Sequence, residues 1–127
     1  MNAGLNQQIQ FLNNYREYVD TVVDGLQLAV QFFREEQYPS GERLLQDFMV
    51  GFERFGEDNM TMYALFGADE RLAGEWRTFQ EECENVRQML ATDNKKKWSE
   101  VITQQTIPVF QRWKLTVDQL IQEKQGK

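Results

Sequence analysis

Apolar residues recur three and four apart along the first third of the chain. Leu5, Ile9, Leu12, Val19, Val22, Leu26, Ala29 and Phe33 mark one stripe, and Arg16 stands where its missing member would fall. The spacing predicts one amphipathic helix over residues 4–36, on the order of 45–50 Å long at ~1.5 Å per residue, overhanging a shorter partner. Tyr38, Pro39, Ser40 and Gly41 close it, with Ser40 the candidate N-cap of the next helix. Leu44, Leu45, Phe48, Met49, Phe52 and Phe55 make a second apolar face, ended by Gly56 as a candidate C′ residue. Glu57, Asp58 and Asn59 form a loop able to cap the next segment. The apolar run 60–66 predicts a short connecting helix closed by Gly67. A third long helix starts at Ala68 or Asp69 and runs to about Ala91, with Leu72, Trp76, Phe79, Cys83, Val86 and Leu90 inward. After a turn at Thr92, Asp93 and Asn94, the last helix spans about residues 96–123. Pro108 lies inside it and predicts a kink near residues 104–107, or a break that restarts at Pro108 with Thr106 near the cap. Gln125, Gly126 and Lys127 make a frayed end.

The two halves of this pattern resemble each other. A shift of 58 residues carries Glu42, Gln46, Phe52 and Arg54 onto Glu100, Gln104, Phe110 and Arg112, and brings Leu44, Met49 and Phe55 onto Ile102, Ile107 and Trp113. Upstream, a shift of 57 carries Thr21, Val22, Leu26, Ala29, Gln31 and Phe33 onto Thr78, Phe79, Cys83, Val86, Gln88 and Leu90. The register changes inside the turn, where an insertion costs least. Duplication and convergence of two similar amphipathic hairpins both produce such a pattern. The expected architecture is all-α: an antiparallel four-helix bundle of two pseudo-repeated hairpins, residues 4–56 and 68–124, joined by a connector at 57–67 with a short helix at 60–66, all in one domain.

Composition agrees with a helical globular chain. Among 127 residues there are nine Phe, three Trp and only two prolines, and clear alternating runs are absent. No apolar stretch nears the roughly 20 residues of a membrane span. The opening residues have neither a basic nor an apolar region, and Cys83 is the lone cysteine, so a cytoplasmic protein without a secretory signal is expected. The net charge of −6 is uneven. Residues 1–64 carry four basic against ten acidic side chains, residues 65–93 three against seven, and residues 94–127 seven against three. The basic last segment is expected to pack beside acidic helices; the alternative is a basic strip for an acidic partner. The overall field disfavours nucleic acid.

Catalytic chemistry is hard to place. The absence of histidine removes His-based triads, general bases and His-containing metal sites. No glycine-rich phosphate loop occurs; Gly51, Gly56, Gly67 and Gly74 stand singly. Glu81, Glu82 and Glu84 read as a solvated helix face, and so do the Glu35 and Glu36 pair. Asp20 and Asp24, four apart, are expected to meet cations from a neighbouring helix or partner. Cys83 lies in the apolar stripe between two glutamates, which suits a core residue rather than a nucleophile. Lys95, Lys96 and Lys97 open the last helix against its dipole, which hints at contact with an acidic surface. Met60, Met62, Tyr63, Phe66 and Phe32 belong to a crowded aromatic and methionine-rich middle. Adjacent pairs such as Phe32 with Phe33 and Leu65 with Phe66 cannot both face one axis, so something must cover the outer member.

No functional family's motif is matched residue by residue. In size, acidity, helical content and lack of catalytic groups the chain resembles the flagellar and secretion export chaperones, and the resemblance implies a small bundle holding a client's helical segment. The residues and that likeness give three functional expectations. The first is a non-enzymatic interaction module that binds a partner helix or a second copy of itself through Met60, Met62, Tyr63, Phe66, Phe32, Lys95, Lys96 and Lys97. The second is an export or assembly chaperone, and the third an enzyme or a carboxylate metal protein. No cofactor, nucleic acid, membrane or small-molecule substrate is expected.

Overall fold

The computed structural model describes residues 3–56 and 58–126. Met1 and Asn2 of the opening segment, Glu57 of the predicted capping loop and Lys127 of the predicted frayed end lie outside them. The protein is all-α, with no strand among the described residues. Its elements are α1 (Ala3–Arg34), α2 (Tyr38–Glu53), α3 (Met60–Met62) running into a π-helical turn (Tyr63–Gly67), and α4 (Glu70–Leu90). A 3₁₀ turn (Lys95–Lys97) leads to α5 (Trp98–Val101), a second π-helical turn (Ile102–Thr106) and α6 (Ile107–Gly126).

The stripe on α1 is more regular than its sequence suggests. Leu12, Tyr15, Val19, Val22, Leu26, Ala29 and Phe33 are all buried, in strict alternation of three and four. The turn assigned to Arg16 is filled by Tyr15, whose ring packs edge-on against Phe52, Phe55 and Trp113. Arg16 turns outward and pairs with Asp118 at 3.5 Å.

α1 stops at Arg34 because Glu36 adopts φ 61°, a left-handed conformation. Gln37 N–H then donates to the Phe32 carbonyl (2.8 Å) and Glu36 N–H to that of Phe33 (3.1 Å). This reverse turn satisfies the last carbonyls of α1 and delivers the chain straight into α2. Pro39 sits in the first turn of α2, where its missing N–H costs nothing. The cap residue is Gln37, without a side-chain bond, and the predicted capping role of Ser40 is corrected accordingly. Gly56 is not a left-handed terminator either. α2 unwinds through tight turns, Phe55 N–H to Phe52 O (2.9 Å) and Gly56 N–H to Glu53 O (3.2 Å).

α1 lies antiparallel to α2, with Phe33 against Gly41, Gly25 against Phe48 and Tyr18 against Gly51. Two of those glycines set the approach. A Cβ on Gly25 would overlap the Phe48 ring, and one on Gly51 would overlap the Tyr18 hydroxyl, which donates to Phe48 O at 3.1 Å. α6 runs antiparallel to α1, through Lys114 with Asp20 and Lys124 with Gln8. It also runs antiparallel to α4, through Arg112 with Glu75 and Thr106 with Glu82. Arg87 of α4 reaches α2, donating to Met49 O at 3.1 Å. Each long helix therefore meets two others around one aromatic centre. There Phe79 stacks on Trp113 at 5.3 Å, beside Phe52, Phe66 and Phe110.

The last helical segment neither breaks nor restarts at Pro108. The irregularity is the π-turn at Ile102–Thr106, closed by Ile107 N–H onto Ile102 O, and α6 continues through the proline. The buried positions explain it. Trp98, Ile102, Thr106 and Phe110 recur every four residues. In an α-helix each such step overshoots a turn by about 40°, so three in succession would carry Phe110 off the core face. A wider turn absorbs the drift. Thr106, expected near a cap, is instead wholly buried.

Part of the uneven charge is met by packing. α6 cations meet acids of α1 and α4: Lys114 with Asp20 at 2.7 Å, and Arg112 with Glu75 through two bonds of 2.9 and 3.0 Å. The Arg112 guanidinium beside Glu75 holds that carboxyl below its ordinary range.

Candidate functional site

The connector between α2 and α4 is the most unusual surface of the molecule. Asn59 fixes it at both ends. Its Nδ2 donates to Arg54 O (2.8 Å) at the end of α2, and its Oδ1 accepts from Met62 N–H (2.9 Å) at the start of α3. Met62, Leu65 and Phe66 then point inward, at 0%, 6% and 0% exposure. The π-turn allows the adjacent pair Leu65 and Phe66 to be buried together, because Phe66 packs on Trp113 (4.9 Å) while Leu65 faces the first turns of α1. Asp69 accepts from Leu72 N–H (3.0 Å) and starts α4.

Two large apolar side chains remain outside. Met60 is 85% exposed and Tyr63 60%. The Tyr63 ring lies over Gly67, where an added Cβ would come within 2.9 Å of it. Beside them α3 and the first turns of α1 form a groove of about 440 Å³, with Met60, Thr61, Ala64 and Leu65 on one wall and Gln7, Gln8 and Phe11 on the other. The start of α1, which overhangs α2, is thus covered by α3 and by the end of α6, where Lys124 bonds Gln8 at 3.1 Å.

The structure does not bring the sequence-predicted residues together. Met60 and Tyr63 are exposed at the α1 N-terminal end. Met62 and Phe66 neighbour them in sequence but are sealed in the core, so neither reaches a surface. Phe32 is half-buried, and Lys95, Lys96 and Lys97 are exposed; they lie at the other end, where Phe33 meets Trp98 at 5.3 Å. About 22 residues of α1, roughly 33 Å, separate Phe11 from Phe33. The lysines stand in their own 3₁₀ turn ahead of α5 rather than in the first turn of the long helix.

Reactive chemistry is muted. Cys83 is buried; burial, with Glu82 and Glu84 adding to it and Arg87 opposing, pushes its thiol up to about 12. Among the described residues no three His, Cys, Asp or Glu side chains gather as metal ligands. No described helix is long and apolar enough to cross a membrane. The solvated-face reading of the acidic run holds for Glu81 and Glu84 but is corrected for Glu82, which is 4% exposed. Its Oε2 accepts from Thr106 (2.7 Å), and its Oε1 accepts from Gln105 (3.0 Å) and Asn85 (3.2 Å). Sequence reasoning also missed Tyr15, whose hydroxyl accepts from Trp113 Nε1–H at 2.9 Å and whose phenol is pushed well above its ordinary range by burial. The alternation 12, 15, 19, 22 was the available signal for Tyr15, and the spacing 79, 82, 86 was the one that placed Glu82 on the inward face of α4.

Comparison with curated proteins found no match, and comparison with solved structures found none. One family model does match, over residues 10–116, from α1 into α6. The match takes in most of the core, the α3 connector and both π-turns, and on that extent the chain belongs to the family described as a domain of unknown function, DUF8042.

Proposed function

We propose that this protein is a non-enzymatic interaction module that receives an amphipathic helix of a partner protein in the groove between α3 and the start of α1. The observation that carries this reading is the display of Met60 and Tyr63, 85% and 60% exposed, on an element that is itself firmly held. A loose loop exposes apolar side chains at little cost. Here Asn59, Met62 and Phe66 anchor the segment, and the exposed members sit on the rim of a groove. Methionine adapts to irregular partners, and tyrosine brings a large contact area with a polar tip. Phe11 and Leu65 supply apolar contacts from the two walls, while Gln7 and Gln8 offer polar ones.

In this reading the scaffold is an antiparallel four-helix bundle of two related hairpins, α1 with α2 and α4 with α6. Support comes from equivalent positions: Val22 with Phe79, Leu26 with Cys83, Ala29 with Val86 and Phe52 with Phe110 are buried in both halves. The connector has no counterpart in the duplication, which is where a specific function would be added to a repeated frame.

The test uses the exposed residues. Met60→Asp and Tyr63→Asp together leave the core untouched, so circular dichroism and the melting temperature stay near wild type. Wild-type protein, tagged and incubated with lysate of its source organism, retains a partner that the double variant loses. Retention by the folded double variant at wild-type level rules out this groove. Concentration-dependent sedimentation abolished by the same substitutions would identify the partner as a second copy.

A further inference from the structure

The groove between α3 and the start of α1 continues a track that α2 leaves unfinished. Gly25, Tyr18, Phe11 and Gly4 stand seven apart on α1 and so fall on one face. α2 covers the first two, with Phe48 beside Gly25 and Gly51 beside Tyr18. Phe55, just past the end of α2, meets Phe11 at 6.1 Å. Beyond that point the same face carries Phe11, Gln7 and Gly4 into the groove, opposite α3. The walls are also free of charge. Residues 1–15 and 59–68 contain no acidic or basic side chain, in a chain with fourteen basic and twenty acidic ones. The exposed positions along this part of α1 are amides, among them Asn6, Gln7, Gln10 and Asn14.

We propose that the groove is filled by the opening turns of α1 from a second copy of this chain, the two copies meeting about a two-fold axis with α1 against α1 and an α3 segment on each outer side. This occupant presupposes the helix-binding role given to the groove above, and names the helix. Three properties select a second copy. In a two-fold contact each copy gives a helix and receives one, so the uncovered face of α1 and the groove beside it are filled together. An amide side chain carries both donor and acceptor, so a surface of Asn and Gln pairs with its own image, which a surface bearing one sign of charge does not. Two molecules of net charge −6 repel, and they approach at least cost through a surface that adds no like charge at the contact. An uncharged groove gives a basic or acidic partner helix nothing to choose it by. The sign of the salt effect follows. Salt screens the repulsion between like molecules and strengthens this contact, whereas it weakens the pairing of a basic helix with an acidic protein.

Sedimentation equilibrium of the full chain, from micromolar to millimolar concentration, measures the dimer. Raising NaCl from about 50 to about 500 mM is expected to tighten it about three- to tenfold. Two pairs of substitutions test the surface: Gln7→Glu with Thr61→Glu, and Gln7→Lys with Thr61→Lys. Both positions are exposed, so circular dichroism stays at wild type. Each pair alone is expected to weaken dimerisation by about tenfold or more, and an equimolar mixture of the two restores it. The lysine pair brings the net charge closer to zero and still weakens the dimer, which separates repulsion at the contact from the overall field. A wild-type chain that stays monomeric overturns the second copy as occupant. So does a dimer that salt weakens, one that neither pair disturbs, or one that the mixture fails to restore. The helix-binding role is decided separately. If a monomeric wild type still draws from lysate a partner that Met60→Asp with Tyr63→Asp loses, only the occupant is wrong; if it draws none, the groove itself fails.

Discussion

The Thr106 hydroxyl donates to the buried carboxylate of Glu82 across 2.7 Å, tying the π-turn before α6 to the middle of α4. Both partners are more than nine-tenths buried. A carboxylate in that position is tolerable only when its lone pairs are used, and Thr106, Gln105 and Asn85 use them. The two consecutive donors, Gln105 and Thr106, both lie in the widened turn. Removing one donor strands an oxygen in the core. Thr106→Val is therefore expected to lower unfolding stability by about 1–3 kcal/mol, read as a lower urea midpoint at unchanged slope. Thr106→Ser, which keeps the hydroxyl, loses less than half of that. Equal losses in the two variants would assign the effect to the methyl group and not to Glu82.

A second bond of the same kind joins Tyr15 to Trp113, 98 residues apart in sequence. The Trp113 ring stays in place if Tyr15 becomes phenylalanine, because Phe66 and Phe79 still hold it. Its N–H would then be buried with nothing to accept it. Tyr15→Phe is expected to cost about 1–3 kcal/mol in denaturant unfolding, while Tyr18→Phe, on a half-buried ring, costs about 0.5–1.5 kcal/mol. A reversed order would show that the buried phenol is not the acceptor on which the Trp113 N–H depends.

These two bonds mark the limit of what the sequence made legible. The apolar stripes located the long helices to within a few residues, because burial of one face is written in spacing. The stripes also identified Cys83 as a core residue. Polar interior partners are not written that way. Glu82 sits in an acidic run that looks like any solvated face, and two of its three donors come only with the three-dimensional approach of the π-turn before α6. Gly25 and Gly51 look like weak points in helices until Phe48 and Tyr18 are seen against them. Pro108 signalled irregularity correctly in kind, but the four-residue spacing from Trp98 to Phe110 was the better clue to its form. The candidate interaction residues failed to coincide for a simpler reason. Composition groups Met60, Met62, Tyr63 and Phe66, whereas the helical screw sends alternate members to opposite sides.

Strain at the α1–α2 corner offers a third test. Glu36 holds φ 61° without the freedom of glycine, and left-handed geometry costs a residue with a Cβ about 1–2 kcal/mol. Its side chain is exposed, so nothing in the core depends on it. Glu36→Gly is expected to raise stability by about 0.5–1 kcal/mol, after allowing for the greater freedom of glycine in the unfolded chain. Thermal melting checks this directly. A lower melting temperature would mean that the corner tolerates glutamate without strain.

Cys83 provides the pH-dependent prediction. Its thiol has an ordinary value of 9.0 and is pushed up to about 12 in the native state, chiefly by burial. Between those values the unfolded chain loses a proton that the folded chain keeps. The folded state then binds more protons, so stability must fall as pH rises. The contribution is fully present below pH 9 and disappears progressively toward pH 12. Cys83→Ala lacks the titrating group, so the stability difference between wild type and this variant shifts against wild type across that window. Urea unfolding at pH 8 and at pH 10.5 measures the shift, with the variant correcting for every other group that titrates there, Tyr15 included. The same burial makes the thiol slow to react. At pH 8 iodoacetamide is expected to label native protein at a rate set by its opening, and protein in denaturant at the rate of a free thiol. Rapid labelling of the native chain would show instead that the thiol is reached without unfolding and carries its charge near neutral pH.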